Sequence, residues 1–503
     1  MRYGKAKYNT FKYGIKDNST IGWKLLIRWD DVYWYPETDR IMDLVIARGR
    51  DNMITGNKLE GMSVGEATLT LDNTDGRYDP FNASSPIYAY IAPGKRAKVI
   101  VKNGDNSNEV QLIEGTISQI TPYGRREKTQ IKIVDDWNYL KGRIVNQGLS
   151  DNVRVDVAIN DIITDAGGLV TSNDMSSDFI KHFWEAKMNA ADGVNEIAHA
   201  FMDEVIIGAD GVFRYKAHNR VDATKLTITS ETLLKDIAFP MPWEVQRNLV
   251  KVTVHPVDFS STSSTVIWEL KSAIPILNGQ SIEMDIDFSV NNIKCLAVPY
   301  GQYGVGLSCN TSSDGSGVSI YPSYSWEYYG SYAHISLVNN TGADGYILPS
   351  VIDPTTGNQI GSYAIGFPYL IYENQYIQAG AGAWQTNPAQ INLDSIYMQD
   401  SNQATAIANY LANWLSNVKY FPTIIVEGRP DWQFSLDLLD KVRLDLDALN
   451  IDDYFRVGKI TIQWLSSNGQ LSRTEFKLEP VKPFGDYWEL DVDALGSTTI
   501  LGV

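Results

Sequence analysis

The residues with the clearest chemical capacity lie at 69–82, LTLDNTDGRYDPFN. Asp72, Asn73, Asp75 and Asp79 offer hard oxygen donors of the kind a calcium ion takes. An EF-hand, however, places acids at alternate positions around a glycine sixth and a glutamate twelfth, and that order is absent. Asn and Asp side chains also bond their own backbone, and Gly76 can adopt positive φ, so the same residues suit a tight β-turn. The turn is the stronger reading, because Ala67, Leu69 and Leu71 alternate with Thr68 and Thr70 in a strand that runs into it.

The other reactive residue types form no constellation. The five histidines, His182, His199, His218, His255 and His334, show neither HExxH spacing nor a neighbouring GxSxG elbow. His199 lies among apolar positions of helical spacing, where a satisfied core histidine is the ordinary case. Cys309 with His334 would be a thiol-peptidase pair, set against inert packing in a loop-rich β region. Asp135–Asp136 and Asp452–Asp453 could serve a glycosidase, but among 60 acidic residues such pairs arise by chance. GADG and GLSCNTSSDGSG lack the strand, helix and lysine of a phosphate loop. The two cysteines, Cys295 and Cys309, fall short of a zinc set and read as buried thiols in preference to a disulfide. No catalytic, cofactor-binding or metal-binding residue is assigned, and no enzyme is expected. One binding chemistry remains. Trp268, Tyr321, Tyr324, Trp326, Tyr328, Tyr329, Tyr332 and Trp384 could stack on sugar faces, with Trp326, Tyr328, Tyr329 and Trp384 as the candidate sugar or receptor contacts. The competing reading buries these rings or sets them against a protein neighbour.

The whole chain bounds these readings. Its 503 residues are enough for roughly three or four domains at about 150 residues each. A hydrophobic share of 44% with 20% charged residues belongs to a globular protein with a core. No stretch of eighteen apolar residues predicts a membrane span. The opening MRYGKAKYNTFKYG is basic and aromatic without an apolar h-region, so synthesis in a cytoplasm is expected. A formal charge of −17 excludes a protein that grips nucleic acid through lysine and arginine. An acidic surface would instead let DNA pass without sticking. The 28 tyrosines and 13 tryptophans favour interfaces.

Periodicity predicts the elements that position these residues. Residues 1–140 read as short alternating strands punctuated by Gly, Asn, Asp and Pro, a first β-barrel or sandwich. Residues 141–247 read as an α+β connecting module. Val155, Ile159, Ile162, Ile163 and Ala166 share one helix face before Gly167–Gly168, and Val194, Ile197, Ala198, Phe201 and Met202 share another. Asp210–Gly211 predicts a type I′ hairpin. NLVKVTV, within 248–258, joins residues 396–483 as a second barrel, interrupted by an inserted β-sandwich over 259–395 rich in Ser, Gly, Asn and Tyr. A helix begins after Asp400 or Ser401, with Ala404, Ile407, Ala408, Leu411, Trp414 and Leu415 as its apolar face. Residues 484–503 read as a C-terminal arm.

GEATLTLDNTDGRYDPFNASSPIYAYIAPGKRAKVIV, residues 65–101, resembles a stretch found in tail hub and baseplate hub proteins of long-tailed bacteriophages. The matching positions are Gly65, Ala67, Leu69, Leu71, Asn73, Asp75, Gly76, Arg77, Tyr78, Pro80, Pro93 and Gly94. VIARGRDN upstream, and ATAIANYLANWL, DKVRLDLD and YFRVGKITIQW downstream, are similar to other parts of these proteins. The insertion matches nothing in them. The resemblance implies a mainly β fold with two tail-tube-like barrels, and Asn73, Asp75, Gly76, Arg77, Tyr78 and Pro80 as a structural barrel corner. It implies a homotrimeric ring in the virion, at the tail tip or baseplate. Tail tube or distal tail ring proteins, tip or fibre proteins and a tape measure protein would be its partners. DNA would pass through without specific binding. A carbohydrate- or receptor-binding tail protein acting through the insertion is the alternative.

Overall fold

The computed structural model describes residues 21–481 apart from 52–53, 56–57, 104–108, 124–126, 171–173, 219, 221, 230–235, 243–244, 260–264, 291–292, 300–304, 382–384, 386–387, 417–419, 428–431 and 466–470. The expected N-terminal segment before Ile21 and the C-terminal arm lie outside the described residues.

The chain is mainly β, with its longest strands in one 13-stranded sheet. One lobe of that sheet runs in the order Tyr35–Pro36, Ile21–Ile27, Arg96–Asn103, Glu109–Pro122, Lys128–Val134, Glu66–Asp72, Ile41–Gly49. The other comprises Asp236–Ala238, Thr423–Glu427, Ser472–Pro480, Ile451–Trp464, Lys441–Leu446 and Leu226–Thr229. Alternation places the apolar residues as read: Ile21, Trp23, Leu25 and Ile27, like Ala67, Leu69 and Leu71, are all buried.

The two lobes are not independent domains. Ile451–Trp464 divides one of its edges: Ile451 to Arg456 pairs with Lys441–Leu446, and Lys459 to Gln463 pairs with Gly49 to Val45 of the first lobe. The inner faces consequently form a single apolar cluster. Trp23 packs against Phe434 and Trp464 of the second lobe, with ring centroids 5.8 and 5.3 Å away. Offset and edge-on aromatic pairs of this kind contribute about 0.5–1.5 kcal/mol beyond area burial.

Several expected boundaries move. Leu249–Val254, assigned by sequence to the second barrel, is instead the centre of a separate sheet between Gln375–Gly380 and Gln390–Asp394. Helix α4, Ser401–Ser416, packs on that sheet and shares one apolar cluster with α1, Trp137–Leu140, α2, Val155–Asp165, and α3, Ala190–Ala200. The module therefore claims these late segments, whose alternation fixes an apolar face but not a pairing partner. Conversely Leu226–Thr229 and Asp236–Ala238, expected in the module, pair into the second lobe. The insertion is correspondingly shorter than 259–395, since Val254 already pairs with Gln375 and Val257 with Ile371. It contains small sheets around two apolar clusters that share Trp268, Met284 and Leu307.

Asp400 caps α4, its Oδ1 accepting from Asn402 N at 2.7 Å and Gln403 N at 3.0 Å. The hairpin of Glu204–Ile207 and Phe213–Lys216 is present, but only Gly211 has positive φ, and Gly211 N donates to Gly208 O. It is a type I turn followed by a left-handed glycine, not type I′.

Candidate functional site

The turn after Glu66–Asp72 is organised by a residue that no spacing or motif singles out. Glu37 is buried and accepts from Trp29 Nε1 at 2.9 Å, Tyr78 Oη at 2.7 Å, and Arg77 Nη2 at 2.7 Å. Arg77 Nε completes a forked ion pair at 3.1 Å. Burial opposes the Arg77 charge, but Glu37 outweighs it and raises the guanidinium's pKa. Burial, then Glu37, likewise pushes the Tyr78 phenol up. Asp75 takes a second fork from Arg40, at 2.9 and 2.7 Å, which holds its carboxyl below the usual range.

Backbone bonds close the corner. Asn73 Oδ1 accepts from Tyr78 N at 2.8 Å, Gly76 N donates to Asn73 O at 2.8 Å, and Gly76 has φ +69°. Pro80 is exposed at the rim. The four calcium candidates do not converge. Asp72 and Asp79 accept from the nearby backbone, Asn73 from Tyr78 and Asp75 from Arg40. Among the described residues no cluster of three or more His, Cys, Asp or Glu could hold a metal. The structure thus brings Asn73, Asp75, Gly76, Arg77 and Tyr78 together around Glu37 and Arg40. Those two lie some forty residues upstream, where no spacing rule reaches them.

A second charged centre sits where the lobes meet. Gly49, at φ +96°, lies so close to Gly458 that a Cβ would fall 2.1 Å from the Gly458 carbonyl oxygen. Arg50 follows and donates its backbone N–H to that same oxygen at 3.0 Å. Its buried guanidinium reaches Glu479 Oε1 at 2.8 Å, Glu204 Oε1 at 2.8 Å and Glu60 O at 2.9 Å. Burial opposes the charge, but Glu479 and Glu204 dominate and raise its pKa. Arg220 and Arg456 stand beside the same acids, both paired with Asp222. Arg48 bonds Asp437 at 2.8 Å and Ile207 O at 2.8 Å. Glu204 and Ile207 belong to the module hairpin, so both lobes and the module are tied at one point.

The remaining candidates stay apart. Trp326 and Tyr328 pack against an inner cluster of the insertion, 5.9 Å from each other. The Tyr329 ring stacks near Tyr332, whose hydroxyl donates to Asn146 of the module at 2.6 Å. Trp384 lies outside the described residues. Cys295 and Cys309 are buried free thiols, each pushed by burial to about 11. His334 engages Asp285 and Glu283, not Cys309. Asp135 accepts from Gly65 N at 2.7 Å and burial pushes it to about 7, while Asp136 pairs with Arg96. Asp452 forks onto Arg443. Among the described residues no helix is long and apolar enough to cross a membrane.

Solved structures of tail proteins align with most of this chain. A tail protein from Neisseria meningitidis is 9% identical, with 92% of this chain and 99% of that one covered and a TM-score of 0.48. A prophage tail protein from Shewanella oneidensis has 9% identity, the same coverages and a TM-score of 0.46. A prophage tail protein from Listeria monocytogenes has 8% identity over 92% of this chain and 95% of that one, with a TM-score of 0.43. No family model and no curated protein matches the sequence.

Proposed function

We propose that this chain is a structural hub protein of a long-tailed phage virion. Three copies form a ring at the tail tip or baseplate that joins the hexameric tail tube, or a distal tail ring, to the trimeric tip and its fibres. The observation that carries this reading is the divided edge of Ile451–Trp464, which fixes two β lobes side by side in one rigid body. Three such chains present six lobes, the number a sixfold tube requires. The motif at 65–101 supports the same reading, because its residues build a cross-braced corner and leave no catalytic group free.

DNA, and a tape measure protein before it, would pass through the ring. A wall lined by acids such as Asp445 and Asp447 would repel phosphate, whereas each lysine or arginine would add salt-sensitive affinity. Imaging of assembled tails tests the proposal. The expected result is a trimer with alternating lobes around an acidic opening. Isolated monomers, or a lumen dominated by lysine and arginine, would overturn it.

A second reading, an adhesive insertion, is favoured by Tyr321 and Tyr324, which the fold leaves exposed. Glycan-array binding by the full chain, lost on replacing both tyrosines by alanine, would favour it over a purely structural role.

A further inference from the structure

We propose that Glu185 and Glu196 form a proton-operated clamp on residues 395–399, the segment that carries the chain from the sheet at the root of the insertion into α4. Glu185, on strand Phe179–Asn189, is 1% exposed. Its Oε1 accepts from the Tyr397 hydroxyl at 2.5 Å, while its buried Oε2 has no hydrogen-bond partner. Glu196, on α3, holds the two preceding residues, its Oε1 accepting from Ser395 Oγ at 3.2 Å and Ile396 N at 3.3 Å. Gln399 completes the grip by exchanging two 2.8 Å bonds with the backbone of His182. Two carboxylates thus grip three consecutive residues of one segment from two different elements.

Among the described residues no cation acts on Glu185. Gly193 of α3 lies so close that a Cβ would fall 2.9 Å from Glu185 Oε1, and Ile162 of α2 packs at the same spot. Gln147 stands opposite on strand Ile144–Arg154. On the Glu185 strand itself, His182 is bonded to Asp151, and Lys187 to Asp285. Tyr397 and Glu196 are the titratable groups acting on Glu185, and Glu196 has the same sign. Asp192 and His199 on α3, Asp156, Asp161 and Asp165 on α2, and Asp394 and Asp400 beside the segment do not act on it. The Tyr397 hydroxyl also lies 3.1 Å from Trp184 O, and its single hydrogen can serve only one acceptor.

Burial, opposed by the Tyr397 bond and reinforced by Glu196, pushes Glu185 up to about 7 from an ordinary 4.5. The folded clamp therefore binds this proton more strongly than the open chain does. Its contribution is complete below about pH 4.5 and is lost as pH rises through about 7. Once Glu185 ionises, a charge sits buried with the like-signed Glu196 acting on it. Opening the segment lets water reach that charge, against the pull of the Tyr397 bond, which favours the charged form. The segment continues strand Gln390–Asp394, which pairs with Leu249–Val254, so opening the clamp loosens the sheet from which the insertion departs.

Hydrogen exchange of the full-length protein from pH 4.5 to 8.5, corrected for the intrinsic pH dependence of exchange, tests this. Amides of 182–189 and 395–399 should lose protection by up to about tenfold per pH unit between about 4.5 and 7 and level off above 7, while those of Glu66–Asp72 should not. Glu185→Gln should abolish the slope, which separates it from any effect of the His182–Asp151 pair. An equal slope in that variant, or none in the parent, would overturn the proposal. Should Glu185→Gln fail to fold, Glu196→Gln decides: the transition should move to lower pH, and an unmoved transition refutes the clamp.

Discussion

Replacing Arg50 by leucine should be among the most damaging single changes in the chain. The guanidinium is buried and bonds Glu479, Glu204 and Glu60 O, and its backbone sits at the Gly49–Gly458 approach. Leucine leaves Glu204 and Glu479 buried without the guanidinium that bridges them, with Arg220 still 3.6 Å from Glu204. Removing one partner of a buried pair costs about 3–5 kcal/mol, well above the net worth of the pair, because the other charge is left uncompensated. Arg50→Lys keeps the charge but not the fork, so a smaller loss of about 1–3 kcal/mol is expected.

Urea unfolding followed by tryptophan fluorescence reads the loss, since Trp23, Trp29 and Trp464 all lie in the fused core. A deficit below about 1 kcal/mol would refute the reasoning.

Three further outcomes follow from the same geometry. Replacing residues 255–374 by Asn-Gly should leave a folded body, because Val254 and Gln375 are already cross-strand partners and a two-residue turn can join them; loss of all soluble, cooperatively unfolding protein would contradict the boundary. Arg77→Ala should cost about 3–5 kcal/mol by stranding Glu37, and Arg77→Ala with Glu37→Gln should recover part of it, which a double-mutant cycle in urea measures. Cys295 and Cys309 should resist a thiol reagent in the native state and react on unfolding, since both are buried and their thiols sit near 11. Rapid labelling of either in the folded protein would count against the described packing.

Which residues face inward and where the chain turns follow from the amino-acid order alone. Period-two alternation at 66–72 and helical spacing at 401–416 record burial on one face, because each side chain's direction follows from local backbone geometry. The Asn73–Pro80 corner was legible for the same reason, since Asx bonds and the positive φ of Gly76 are local. The partners of those elements were settled only in three dimensions. Leu249–Val254 offers the same N–H and C=O edge to any strand, so nothing in NLVKVTV distinguishes the second lobe from Gln375–Gly380. The division of Ile451–Trp464 between two neighbours is equally invisible in its alternation. Buried charges are hidden most completely. Glu37, Glu204 and Glu479 look like surface acids in sequence, and become structural only when folding excludes water and sets Arg77 or Arg50 against them.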